Sequence, residues 1–137
     1  MLKRNKKFTL IKKSRSENVI NILFFDKKGK LHRFNGPAKI VFNRKTMKLI
    51  REEWHNHGVL HRISGPALTI KTRFHDKKMW FYKGTVHNRA GPSVISKVSN
   101  HRCNYIWSIM GSVYSKEDWF EALTKEEKLA YIFNLKY

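Results

Sequence analysis

Apolar residues in this chain come in short runs punctuated by glycine, with no stretch long enough for a buried helix through the first 114 residues. The runs at 18–25 (NVINILFF), 38–43 (AKIVFN), 47–54 (MKLIREEW), 67–74 (ALTIKTRF), 79–82 (MWFY), 93–98 (SVISKV) and 103–109 (CNYIWSI) are rich in β-branched and aromatic residues, as strands are. The polar segments NRKT (43–46), HDKK (75–78) and SNHR (99–102) read as hairpin turns between them. The pattern predicts a mostly β fold, an antiparallel meander of about seven strands. After residue 114 the period changes. Ser115 to Asp118 and Thr124 to Glu127 are N-cap signatures, the first opening a helix with Trp119, Phe120 and Leu123, the second one with Leu129, Ile132 and Phe133 at helical spacing. Two short C-terminal helices are expected to cap the last edge of the sheet.

The glycines also mark a repeat. GKLHRFNGPA begins at Gly29, GVLHRISGPA at Gly58 and GTVHNRAGPS at Gly84, at spacings of 29 and 26 residues. Each copy holds a histidine three residues on (His32, His61, His87) and Gly-Pro four residues after that. A degenerate half copy starts at Gly111, with Tyr114 in the histidine position, and an aromatic precedes each glycine: Phe24 and Phe25, Trp54, Trp80, Trp107. Three and a half repeats of 26–29 residues therefore build a β-repeat domain over 18–114, between a basic N-terminal arm at 1–17 and a helical cap at 115–137. In such arrays each unit packs mainly on its neighbours, and an atypical terminal unit covers the last edge.

Charge changes the picture from fold to partner. The chain has 137 residues with 29 Lys plus Arg against 10 Asp plus Glu, a net +19. Residues 1–114 carry +20 of this and residues 115–137 carry −1. A surface so one-sided suits a polyanion, with nucleic acid the first candidate. The cations expected to meet phosphate are Lys3, Arg4, Lys6, Lys7, Lys12, Lys13 and Arg15 in the arm, and Lys27, Lys28, Lys30, Arg33, Arg44, Lys45, Arg62, Lys77, Lys78 and Lys83 in the repeats. Arg33 and Arg62 have a second reading, as part of a backbone clamp in their loops. Trp80, Phe81 and Tyr82, beside Lys78 and Lys83, are candidates for stacking on bases.

Other chemistry is thin. A histidine needed once per repeat reads as structural, an imidazole clamping backbone groups of its loop while resting on the preceding aromatic. His55, His57 and His61 lie close in sequence, but no cysteine or acid stands at a partner spacing for zinc, and no metal or other cofactor is expected. Glu52 and Glu53 are adjacent, so in a strand they point to opposite faces and cannot serve as an acid/base pair. No phosphate-cradling glycine loop is present, and Cys103 reads as an inert thiol buried in a strand. No enzyme is expected. The longest apolar run, Ile22 to Phe25, is far below the roughly 20 residues of a membrane span, and the basic N-terminus lacks the apolar core of a secretory signal.

The copies resemble the tandem W-x-x-x-G-x-x-H-R-x-x-G-P-A repeats of proteins from tailed bacteriophages and giant DNA viruses, which are distantly similar to MORN-type β-hairpin repeats. Trp54, Gly58, His61, Arg62, Gly65, Pro66 and Ala67 match throughout; Phe25 stands in the first tryptophan position, and Asn88 replaces the third arginine, with Arg89 one place late. Trp107, Gly111, Ser115, Glu117 and Trp119 look like that family's terminal repeat. The resemblance covers roughly residues 24–121. It implies a β-repeat fold and a viral or phage origin, hence a host cytoplasm or virion setting, and no known activity. Taken with the charge, the expectation is a non-enzymatic accessory protein that binds RNA or DNA with little sequence preference. The alternative is a module that docks on an acidic host or virion protein.

Overall fold

The computed structural model of the chain describes residues 10–98 and 102–135. Its elements are β1 (Leu10–Arg15), β2 (Val19–Phe25), β3 (Lys39–Asn43), β4 (Leu49–Glu53), β5 (His55–Asn56), β6 (Val59–Leu60), β7 (Leu68–Lys71), β8 (His75–Met79), β9 (Phe81–Tyr82), β10 (Thr85–Val86), β11 (Val94–Val98), β12 (Cys103–Ile109), β13 (Ser112–Tyr114), α1 (Lys116–Glu121) and α2 (Lys125–Asn134). The fold is mostly β with two short C-terminal helices. Nine strands form one antiparallel meander in the order β1-β2-β3-β4-β7-β8-β11-β12-β13, while β5–β6 and β9–β10 are two-residue ribbons inserted along it.

The main sheet exceeds the expected seven strands by β13 and β1. Residues 10–15, read as part of the arm, pair with β2 from Leu10↔Phe25 to Arg15↔Ile20. Their lysines hid a strand, because charged side chains are how an exposed sheet edge is kept from pairing with other chains. The second inter-repeat turn is also displaced. Thr72 Oγ1 accepts the N–H of Phe74 at 3.3 Å and of His75 at 2.9 Å, so the chain turns at Thr72–Phe74 and HDKK runs into β8. At NRKT the expected turn is present, with Asn43 Oδ1 accepting from Lys45 and Thr46. Most of the turn expected at 99–102 lies outside the described residues.

What interrupts each long hairpin is the aromatic. Trp54 donates its N–H to Ala67 O and accepts from His61 N–H; Trp80 repeats this with Ser93 O and His87 N–H. Phe24 makes the same pair of bonds, with Ala38 O and His32 N–H, so Phe24 and not Phe25 holds the tryptophan position of the first copy. The residue after Gly-Pro forms the spine of the core: Ala38, Ala67 and Ser93 are all 0% exposed, and their N–H groups reach Glu53 O, Met79 O and Ile106 O. A side chain larger than Ala or Ser there would have to displace the neighbouring strand. Beside this spine Leu68, Met79, Val94 and Ile106 run across one face in register. Cys103, expected buried, is exposed in β12.

The cap is held by Trp119. Its indole is fully buried, 4.6 Å from the Trp107 ring and 5.2 Å from Tyr131, and Nε1–H donates to Asn88 O at 2.9 Å. Arg89 donates to both carboxylate oxygens of Glu127 at 2.7 Å and to Ala122 O at 3.0 Å. The ion pair and Tyr131 decide which side of α2 faces the sheet, so the stripe expected to pack inward faces out: Leu129, Ile132 and Phe133 are exposed. No helix among the described residues is long and apolar enough to cross a membrane.

Candidate nucleic-acid interface

The repeat histidines lock one copy to the next. Gly58 N–H donates to Leu31 O, Gly84 N–H to Leu60 O and Gly111 N–H to Val86 O, so each hairpin turn sits on the strand that precedes it by one repeat. Beside each of these bonds an imidazole accepts a second one: His32 Nδ1 from His57 N–H at 3.3 Å, His61 Nδ1 from Lys83 N–H and His87 Nδ1 from Met110 N–H, both at 3.0 Å. The donors are residues with positive φ (49°, 48° and 49°) in two-residue turns, a conformation that leaves these N–H groups facing away from their own hairpins. The imidazole thus clamps the following copy. Close packing accompanies the turn geometry: at Gly84, with φ 82°, a Cβ would lie 2.8 Å from Val59 Cγ1. Burial pushes the His87 imidazole below its ordinary pKa, and the nearby Arg89 charge adds to this.

The second clamp is the arginine. The Arg33 guanidinium lies 4.0 Å above the Phe24 ring and that of Arg62 3.8 Å above Trp54, and each Nη1 reaches across its loop to the proline carbonyl, at 3.5 Å to Pro37 O and 3.2 Å to Pro66 O. The Gly-Pro glycine makes room, since a Cβ on Gly36 would meet Arg33 Cζ at 2.9 Å. In the third copy Asn88 Nδ2 makes the bond to Pro92 O at 2.9 Å. Arg33 and Arg62 are half-buried and act as clamps in their loops, the second of their two readings. Each lays one guanidinium face on a ring and commits Nη1 to a carbonyl.

The acids are spent locally too. Asp26 Oδ1 accepts from Lys28 and Lys30 N–H, and its Oδ2 lies 2.6 Å from His57 Nδ1; the His57 hydrogen bond first, then these backbone donors, hold its carboxyl at about 2. The His57 ring stacks on His32 at 4.0 Å. Buried Glu53 meets His55 Nε2 at 2.8 Å, Arg51 Nε at 2.6 Å and Lys39 Nζ at 3.2 Å, and His55 foremost, then Lys39 and Arg51, hold it at about 2. His55, His57 and His61 thus go three separate ways, and among the described residues no three His, Cys, Asp or Glu side chains converge as metal ligands.

The remaining cations are spread over the molecule. Lys27, Lys28 and Lys30 cluster at the first turn, next to His57. Arg44 and Lys45 stand at the β3–β4 hairpin tip, where Arg44 donates to Ser16 O and so meets the end of the β1–β2 hairpin near Arg15. Lys12 and Lys13 alternate across β1, and Lys77 and Lys78 across β8, so each pair splits between the two faces. Lys83 sits on the third turn. None of these eleven forms an ion pair among the described residues. Lys3, Arg4, Lys6 and Lys7 lie outside the described residues. Of the aromatics expected to stack, Trp80, Phe81 and Tyr82 are half-buried, with Tyr82 edge-on to His61 at 5.1 Å.

Sequence reasoning missed a groove of about 380 Å³ between the first and second repeat loops, with Arg33, Phe34, Trp54, His55, His61, Arg62 and Ile63 in its walls. Phe34 and Ile63, at the same position of successive copies, are 70% and 85% exposed. A second groove, of about 330 Å³, shares Arg62 and Ile63 and continues to α2. The signal for both was the residue after His-Arg, apolar in the first two copies. Compared with known proteins, the chain matches no family model, no curated protein and no solved structure.

Proposed function

We propose that this is a non-enzymatic accessory protein, of viral or phage origin as its repeat pattern suggests, that binds nucleic acid through the basic surface of its β-repeat domain. The observation that carries the reading is the imbalance left after local pairing. Residues 1–114 hold five acids; of these Asp26 and Glu53 are spent inside the fold, while Lys12, Lys13, Arg15, Lys27, Lys28, Lys30, Arg44, Lys45, Lys77, Lys78 and Lys83 have no acidic partner among the described residues. Cations on both faces and at both ends of a stiff sheet suit contacts to phosphate more than readout of base sequence. Affinity then depends steeply on salt. With about six phosphates neutralised, log K falls against log salt with a slope of roughly −4 to −5. A titration with unrelated DNA and RNA sequences tests this, and no detectable binding at about 50 mM salt overturns it.

The second reading, a module docking on an acidic host or virion protein, draws on the exposed stripe Leu129, Ile132 and Phe133 of α2, in the near-neutral cap. A stoichiometric protein partner that survives nuclease treatment favours it.

A further inference from the structure

β12 is covered along only part of one side. Its residues 103–106 pair with β11, but on the other side β13 reaches only residues 107–109. The repeat explains the gap. β2, β4 and β8 each have beside them the strand that follows the next Gly-Pro, namely β3, β7 and β11. No Gly-Pro follows Trp107, and the chain leaves the sheet at Ser115, the N-cap of α1. The part of β12 aligned with residues 76–79 of β8 therefore lacks its next strand among the described residues, and Cys103, Asn104, Tyr105 and Ile106 are all exposed.

The open side presents backbone. Arg102 O and Ile106 O turn towards β11, accepting from Val98 and Ser93 N–H, so the alternation of an antiparallel ladder turns the N–H and C=O of Cys103 and Tyr105 outward. The opposite end of the sheet is guarded: β1 carries Lys12, Lys13 and Arg15, the charges that keep an edge from pairing. Residues 103–106 hold no charge and no proline, and Tyr105 and Ile106 are 54% and 42% exposed. Such an edge is where an extended segment adds as a strand. Register sets what that segment presents. Met79 meets Leu68 on one side and Val94 on the other, and Ile106 holds the place of Met79 in the last copy, so an apolar residue belongs opposite Ile106. The surroundings set its charge. Exposed Lys97 pairs with Cys103, exposed Lys78 lies in the cross-strand row of Tyr105, and exposed Arg102 directly precedes β12, against the one acid Asp76 opposite Lys97. These cations attract acidic flanks, whereas a second copy would bring another +19.

We propose that the 103–106 edge of β12 binds an extended acidic segment of a partner protein, which adds to the sheet as the strand its last repeat lacks. This goes beyond the nucleic-acid reading and stands or falls apart from it. The test is fluorescence anisotropy with the whole chain at about 50 mM salt and labelled peptides built on the β11 sequence SVISKV. One is flanked by glutamates, one by lysines, and one is the glutamate form with proline for isoleucine, the residue whose N–H would answer Tyr105 O. The glutamate peptide is expected to bind saturably below about 1 mM, about tenfold or more tightly than the other two. Tyr105→Pro removes an outward N–H from an edge, so it should melt near the parent and weaken that peptide about tenfold or more. Tyr105→Ala keeps the N–H and should weaken it about threefold or less. If Tyr105→Pro fails to fold, the proline peptide decides. No saturable binding, or equal binding of the three peptides, overturns the proposal and leaves the nucleic-acid reading standing. Equal losses in the two variants overturn strand addition in favour of a side-chain contact. A parent that sediments as a dimer while Tyr105→Pro is a monomer overturns it in favour of a second copy.

Discussion

In the second repeat loop the arginine follows the histidine directly; in the third it comes one residue later. Arg62 folds back over Trp54 and closes its own loop on Pro66 O, and the next residue, Ile63, is left in solvent. Arg89 points out of its loop to Glu127 and Ala122 O of the cap, while Asn88 takes over the bond to the proline carbonyl. The loop backbone closes either way, so the position after the histidine needs only a donor of the right reach. A shift of one residue turns an internal clamp into an attachment point for another element. The first two loops have no such arginine, and the groove lies between them.

The largest test of this contrast is Trp119→Ala, which empties the most enclosed site of the capped copy and frees Asn88 O. It is expected to cost about 3 to 5 kcal/mol in denaturant unfolding; a cost under about 1 kcal/mol would show that the cap adds little to the third copy. Next comes Arg89→Ala, expected to cost about 1 to 2 kcal/mol, because the pair with Glu127 is bidentate yet each side chain is 31% exposed. The Arg89 hydrogen bond holds the Glu127 carboxyl at about 2, below its usual range. Its ionised form therefore stabilises the fold, fully above the unfolded value near 4.5, and this contribution is lost as pH falls from there towards 2. An acid titration should show that loss in the parent and not in Arg89→Ala, and identical curves would detach α2 from Arg89.

Smaller still are the histidine locks, common to both copies. His61→Ala should cost about 1 to 2 kcal/mol, limited because the exposed Lys83 N–H can turn to water. His75→Ala, at an exposed strand end, should cost under about 0.5 kcal/mol. His87 should add a pH dependence: burial lowers its pKa, so its contribution is full above the unfolded value near 6.5 and declines as pH drops below it. Melting curves of His87→Ala and parent between about pH 5 and 8 check this, and parallel curves would remove the lock at that junction.

Much of this was legible because Gly, His and Gly-Pro are demanded by backbone geometry, and geometry recurs with the repeat. The meander, the turn glycines and the structural role of the histidines all follow from that frame. That an imidazole grips the next copy was not legible, since position within a repeat does not say which neighbour supplies the donor. β1 was hidden by Lys12, Lys13 and Arg15, whose charge is the natural protection of an edge. α2 showed that helical spacing reveals a stripe but not which way it turns: Glu127 and Tyr131, not Leu129 and Phe133, face the array. The groove escaped because its walls come from two loops a repeat apart, which their positions in the sequence do not bring together.

The locks between copies all point backwards along the chain. His57 donates to His32 across 25 residues, Lys83 to His61 across 22 and Met110 to His87 across 23. Each closes on a residue that left the ribosome earlier, and none waits for sequence still to be made. The array can therefore zip up from its N-terminal end during synthesis, one unit at a time, with only short loops to close at each step. The third copy differs: its contact with the cap points forwards along the chain, Arg89 to Glu127 across 38 residues, so it has to wait for α2.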